Sequence, residues 1–111
     1  MKSFLSFAFV WFTTNVFCQP VFQDLGGSKW TFREKNSYLW RSAIVPGTVH
    51  TDLMAAKAIP DPFYRDNERK VQWVSNLDWE YKLEFTPDSE LLAKPEIDLV
   101  FEGLDTYATV F

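Results

Sequence analysis

From Lys29 to Arg33 apolar and polar side chains alternate, with Trp30 and Phe32 on one side, the period of a short half-buried strand. Leu25-Gly26-Gly27-Ser28 ahead of it reads as a turn, and Glu34 to Ser37 as a polar loop. A second extended stretch, Tyr38 to Val45, ends at Pro46-Gly47. The period then changes: Val49, Leu53 and Ala56 recur at helical spacing, with Thr48 as N-cap and Asp52 in the first turn where it suits the helix dipole. This predicts one helix through Ala58, stopped by Ile59-Pro60-Asp61-Pro62, since proline lacks an amide hydrogen and restricts the residue before it.

Phe63 to Lys70 reads as a long polar loop leading to Val71-Gln72-Trp73-Val74. The clearest strand follows, with Trp79, Tyr81, Leu83 and Phe85 on one face and Glu80, Lys82 and Glu84 on the other, the pattern of an antiparallel sheet with one face on a core. Pro87 to Pro95 reads as a connection, Ile97 to Glu102 alternates again, and Tyr107 to Phe111 starts a further extended run that looks cut short. Short strands, one short helix and more strands predict a mainly β fold, an incomplete β-sandwich of jelly-roll type.

Composition narrows this. At 111 residues the chain holds one domain at most, and aromatics at 18 %, five of them tryptophan, supply a packed core and argue against disorder. A net charge of −4 without a basic stripe argues against nucleic acid. Lys2 followed by apolar Phe4 to Phe12 reads as a signal peptide over residues 1–18, too short to span a bilayer comfortably, so the expectation is export to a periplasmic, secreted or lysosomal location, with residues 19–111 as the domain. Cys18 is the only cysteine, which excludes a disulfide within the chain and metal sites built on several thiolates.

Candidate chemistry is sparse. Acid–base or nucleophilic hydrolysis by carboxylates needs two carboxyl groups facing each other across the scissile bond, about 5 to 10 Å apart. Glu80 and Glu84 fall on the wet face of a strand, while Asp61, Asp66 and Glu68 sit in a loop whose pairing no sequence rule fixes; all are read as solvated, and none as a catalytic acid or nucleophile. His50, the only histidine, has no partner completing a metal or nucleophile constellation, and no phosphate loop or serine elbow is present. No cofactor is expected.

Several ordered blocks carry a resemblance: Val45-Pro46-Gly47-Thr48-Val49-His50-Thr51-Asp52-Leu53, Ile59-Pro60-Asp61-Pro62-Phe63-Tyr64-Arg65-Asp66-Asn67-Glu68, Val71-Gln72-Trp73-Val74, Asp78-Trp79-Glu80-Tyr81 and Leu99 to Ala108. Together they closely resemble the start of β-mannosidases in glycoside hydrolase family 2. The resemblance implies a galactose-binding-like jelly-roll domain that precedes immunoglobulin-like domains and a (β/α)₈ barrel holding both catalytic glutamates. It also implies a retaining, exo-acting parent enzyme that removes terminal β-linked mannose, with the oligosaccharide bound by the barrel, and a fragment inactive alone.

That family's acid/base glutamate also follows an asparagine, but far downstream, so the match at Asn67-Glu68 is read as accidental. In the related β-galactosidases an asparagine after a Pro-aromatic-Tyr stretch reaches toward the sugar, and Pro62 to Asn67 has that shape with one extra residue. Asn67 and Asp66 are therefore the substrate-binding candidates, with loop capping as the plainer role. The other readings are a stand-alone carbohydrate-binding module, motivated by the tryptophans, and the same domain of another family 2 enzyme, a β-galactosidase or glucosaminidase.

Overall fold

The computed structural model describes residues 19–104 and 107–111. The expected signal peptide, residues 1–18 with Cys18, lies outside the described residues.

The alternating segments form a sheet. Strand β1 (Gly27–Glu34) runs antiparallel to β2 (Arg41–Val45) on one side and to β3 (Trp79–Lys82) on the other, giving the order β2-β1-β3. Register follows the hydrophobic pattern, because cross-strand partners share a face. Phe32 lies opposite Tyr81 and Trp30 opposite Ala43 on the apolar face, whereas Arg33 lies opposite Glu80 and Thr31 opposite Lys82 on the polar one. The polar face carries the Arg33–Glu80 ion pair at 2.7 Å and a Lys82–Glu84 pair.

Helix α1 (Val49–Ala55) begins where the N-cap reading placed it. Thr48 Oγ1 accepts from the Thr51 amide at 3.2 Å while Thr51 Oγ1 accepts from the Thr48 amide at 3.0 Å, a reciprocal cap that satisfies two otherwise orphaned donors. The helix is three residues shorter than its periodicity predicts. Lys57 adopts a left-handed φ of 56°, and the Ala58 amide reaches back to the Leu53 carbonyl at 2.8 Å, so the chain turns and buries Ile59. Gly47 lets the chain leave β2 for α1: a Cβ there would collide with the Ile44 carbonyl oxygen.

Three segments depart from expectation. The polar loop before Trp73 contains helix α2 (Asn67–Val71), which continues as a 3₁₀ turn over Gln72–Asn76. Val71 and Val74, three residues apart, supply one buried face for both, a signal too short to stand out in a polar run. Helix α3 (Ser89–Leu92) occupies the predicted connection. The chain thus carries more than the one short helix expected, while the mainly β class is as read.

The third departure concerns strands. β3 stops at Lys82 rather than Phe85, and the Gln23 side-chain amide takes over the tethering by donating to the Thr86 carbonyl at 2.9 Å and accepting from the Asp88 amide at 3.0 Å. Ile97 to Glu102 and Tyr107 to Phe111 join no ladder, and Ile97, Leu99, Phe101 and Phe111 are exposed. Alternation makes a segment fit a sheet surface but does not by itself pair it.

The core sits between the apolar face of the sheet and the helical segments. Phe32, Ala43, Leu53, Ile59, Val71 and Val74 are buried, with Trp30, Val49, Met54, Trp79 and Tyr81 packed around them. Phe32 stacks on Tyr81 with ring centroids 5.6 Å apart and meets Trp79 at 5.8 Å. The Trp30 indole donates to the Leu25 carbonyl and that of Trp79 to the Val74 carbonyl, so both rings are fixed by their polar ends.

Among the described residues one polar side chain is buried in this core, Asp52. Its Oδ1 accepts from the Ile44 amide at 3.0 Å, an outward-pointing donor of β2, and its Oδ2 accepts from the Tyr81 hydroxyl at 2.8 Å on β3. The carboxylate therefore fastens α1 to both edge strands and occupies a donor on the β2 edge.

Removing it should be costly. Asp52→Ala leaves two donors unsatisfied and is expected to destabilise the chain by about 3 kcal/mol, whereas Asp52→Asn, able to accept from Ile44 and donate to Tyr81, should cost about 1 kcal/mol; urea unfolding measures both, and equal losses would contradict the bridge.

Burial foremost, then the Asp52 carboxylate, pushes the Tyr81 phenol above its usual value. The folded state holds that proton more tightly than the unfolded one, so this contribution is complete below about pH 10 and disappears as the pH rises above it. A tyrosinate absorbance titration followed alongside circular dichroism should show one tyrosine ionising only as structure is lost, a step absent in Tyr81→Phe. Ionisation of all four tyrosines before any change in dichroism would refute it.

Candidate functional site

The loop between α1 and α2 ends at the two candidate sugar-binding residues, Asp66 at its last position and Asn67 as the first residue of α2, and its backbone is held by side chains. Pro60 and Pro62 restrict its entry. Asp61 Oδ1 accepts from the Phe63 amide at 2.9 Å, forming an Asx turn, and the Asp61 carbonyl accepts from the Tyr64 amide at 3.2 Å and from Asn67 Nδ2 at 3.0 Å. The Asn67 amide donates to the Tyr64 carbonyl at 3.2 Å, and Asn67 Oδ1 accepts from Lys70 Nζ at 3.2 Å. Arg65 sits at the tip with a left-handed φ of 53°, and its guanidinium lies 5.2 Å from the Tyr64 ring centroid.

The two candidates thus differ. Both the amide nitrogen and the oxygen of the Asn67 side chain are engaged within the loop, as in the plainer loop-capping role. Asp66 gives α2 no side-chain cap and makes only an exposed pair with Lys70 at 3.6 Å, leaving its carboxylate largely in water. Phe63, an ordinary loop residue by its sequence context, stands 94 % exposed beside them. Asp61-Pro62 ahead of it signals the turn but not which side chain stands exposed.

Three further carboxylates, Glu80, Glu84 and Asp78, are paired with cations on or beside the sheet. Glu80 is half-buried in its pair with Arg33, whose Nη1 also donates to the Ser37 carbonyl at 3.2 Å and whose guanidinium lies 4.5 Å from the Trp40 ring centroid. Glu80 is therefore a cross-strand anchor, not the freely solvated carboxylate expected. Hydrogen bonding to Lys82, followed by its charge, lowers the Glu84 carboxyl below the usual range. Asp78 meets Lys35 at 3.4 Å at the end of the β1–β3 pairing. Glu68 is exposed in the first turn of α2.

His50 lies half-buried in α1, and among the described residues no group of three His, Cys, Asp or Glu side chains could hold a metal ion. No helix among the described residues is long and apolar enough to cross a membrane. Trp30 and Trp79 are fixed in the core, and Arg33 covers Trp40, so these three rings do not form an open platform for a sugar.

Residues 30–111 match the model of the glycosyl hydrolase 2 galactose-binding domain-like family. Among characterised relatives, a β-mannosidase of Bos taurus is 37 % identical over 81 residues, which are 73 % of this chain and 9 % of that protein. β-Mannosidase A of Emericella nidulans is 41 % identical over 88 residues, covering 78 % of this chain and 9 % of that one. A crystal structure of a β-D-mannosidase from Dictyoglomus thermophilum superimposes with a TM-score of 0.58 at 47 % identity, covering 61 % of this chain and 8 % of its own.

The chain therefore spans less than a tenth of the length of these relatives. The ordered blocks read as β-mannosidase-like align with β-mannosidases, and the open antiparallel sheet is a portion of a galactose-binding-like β-sandwich. The chain belongs to the glycosyl hydrolase 2 galactose-binding domain-like family.

Proposed function

We propose that this chain is the N-terminal accessory-domain stretch of an exported, exo-acting β-mannosidase, and that hydrolysis of terminal non-reducing β-D-mannose takes place in a barrel outside these residues. The observation that carries this reading is the 37–41 % identity to β-mannosidases across most of the chain. Its complement is the state of the carboxylates: Asp52, Asp61 and Glu80 serve as bridge, turn former and strand anchor. The domain's task in this reading is to support the barrel and to bring one loop near the sugar. Export is supported by the Lys2 and Phe4 to Phe12 pattern of the leader.

Within that loop Asp66 is the better placed of the two pocket candidates, because its carboxylate is free to accept sugar hydroxyls while Asn67 holds the loop together. In this reading the other domains of the same polypeptide are the partners, and the ligand is a β-mannoside oligosaccharide.

The 111-residue chain is expected to leave an aryl β-mannoside intact, while the product of the complete reading frame hydrolyses it in preference to the β-galactoside and β-glucosaminide. Turnover by the short chain would place catalysis within it, and preference for another sugar would reassign the parent enzyme.

A further inference from the structure

We propose that Gln19 is the first residue of the mature chain and that its side chain closes on its own α-amine to form pyroglutamate. The inference rests on the export reading, and it concerns the covalent state of the exported protein rather than the sugar it acts on.

Read as a signal peptide, residues 1–18 end in Val16-Phe17-Cys18, the compact-large-compact order that a signal peptidase accepts before its cut. Cleavage after Cys18 leaves Gln19-Pro20 at the amino end. Both residues are exposed and belong to no helix or strand, so neither the peptidase nor the ring closure meets an obstacle there. Among the described residues, the first side chain of this stretch to bond the rest of the fold is Gln23, which donates to the Thr86 carbonyl and accepts from the Asp88 amide. Gln19 to Phe22 precede that anchor.

The step balances without an oxidant or a co-reactant. The α-amine nitrogen of Gln19 attacks its own Cδ and a lactam N–C bond forms. The Cδ–Nε2 bond breaks, and the departing nitrogen takes a proton from the amine and leaves as ammonia. An α-amine titrates near about pH 8, so part of it is the unprotonated nucleophile at neutral pH. Pro20 narrows the outcome: lacking an amide hydrogen, its nitrogen cannot attack the same carbonyl, which leaves the α-amine as the neighbouring backbone nitrogen able to react. Gln23 is spared, because its backbone nitrogen is acylated and its side-chain amide is held by two hydrogen bonds. The lactam is neutral, so the mature chain loses its amino-terminal charge and offers no free amine to an exopeptidase ahead of the Gln23 anchor.

Amine labelling of the intact complete reading-frame product, recovered from a secreting host, followed by tryptic digestion and mass spectrometry, tests this. The first peptide should run from Gln19 to Lys29, carry no label at its amino end, and be lighter than its sequence by one ammonia, with the deficit at Gln19 and not at Gln23. Gln19→Ala should give the same start with a labelled amine and no deficit. A labelled Gln19 of full mass would overturn the ring closure and leave the export reading standing. A first residue other than Gln19 would overturn the inference at the cleavage step, and a chain still beginning at Met1 would sink the export reading with it. Aryl β-mannoside turnover by the same product reports separately on the enzymatic reading.

Discussion

A single buried carboxylate organises this chain. Asp52 receives one hydrogen bond from the backbone of β2 and another from a side chain of β3, although its own backbone belongs to α1. In a core this small an unpaired polar group would be intolerable, so the helix can occupy only the position in which both donors are met. The neighbouring features follow from that placement. Gly47 permits the abrupt exit from β2, the Thr48–Thr51 cap starts the helix immediately, and Leu53, beside Asp52, fills the core under Phe32.

The same contact makes the two edges of the sheet unequal. Asp52 occupies an outward donor of β2, while β3 keeps its outer edge without a strand among the described residues. The polar face, with Arg33 paired to Glu80 and Lys82 to Glu84, is suited to water; the apolar face is covered by α1, α2 and the 3₁₀ turn. Ile97, Leu99, Val100, Leu104, Val110 and Phe111 leave half or more of their surface exposed among the described residues. A portion of a galactose-binding-like sandwich has this character, with one open sheet covered by helices on its apolar face and extended segments left unpaired.

The legible parts of the sequence were those governed by local rules. Alternation at Trp30-Phe32 and Trp79-Tyr81 placed the strands and their faces, and Thr48 with Pro46-Gly47 located the start of α1. What depended on distant partners was not legible. Asp52 read as a dipole residue because nothing in sequence links it to Tyr81, 29 positions away, and Glu80 read as solvated because its partner Arg33 is 47 positions away. The short α2 was hidden because its buried face consists of little more than Val71, continued by Val74 in the following turn. At the candidate site the loop was found through its resemblance to family 2 enzymes, but the separate roles of Asn67 and Asp66 required the hydrogen bonds themselves.

Amide hydrogen exchange at Ile44 tests the organising contact most directly. An outward-facing amide on an edge strand ordinarily exchanges quickly, yet a donor held by the buried Asp52 carboxylate should be protected as strongly as the β1 amides paired with β3, opening only with the whole sheet. Fast exchange at Ile44 alongside slow exchange in β1 would show that Asp52 does not fasten the helix to the strand, and the account of this fold would be contradicted.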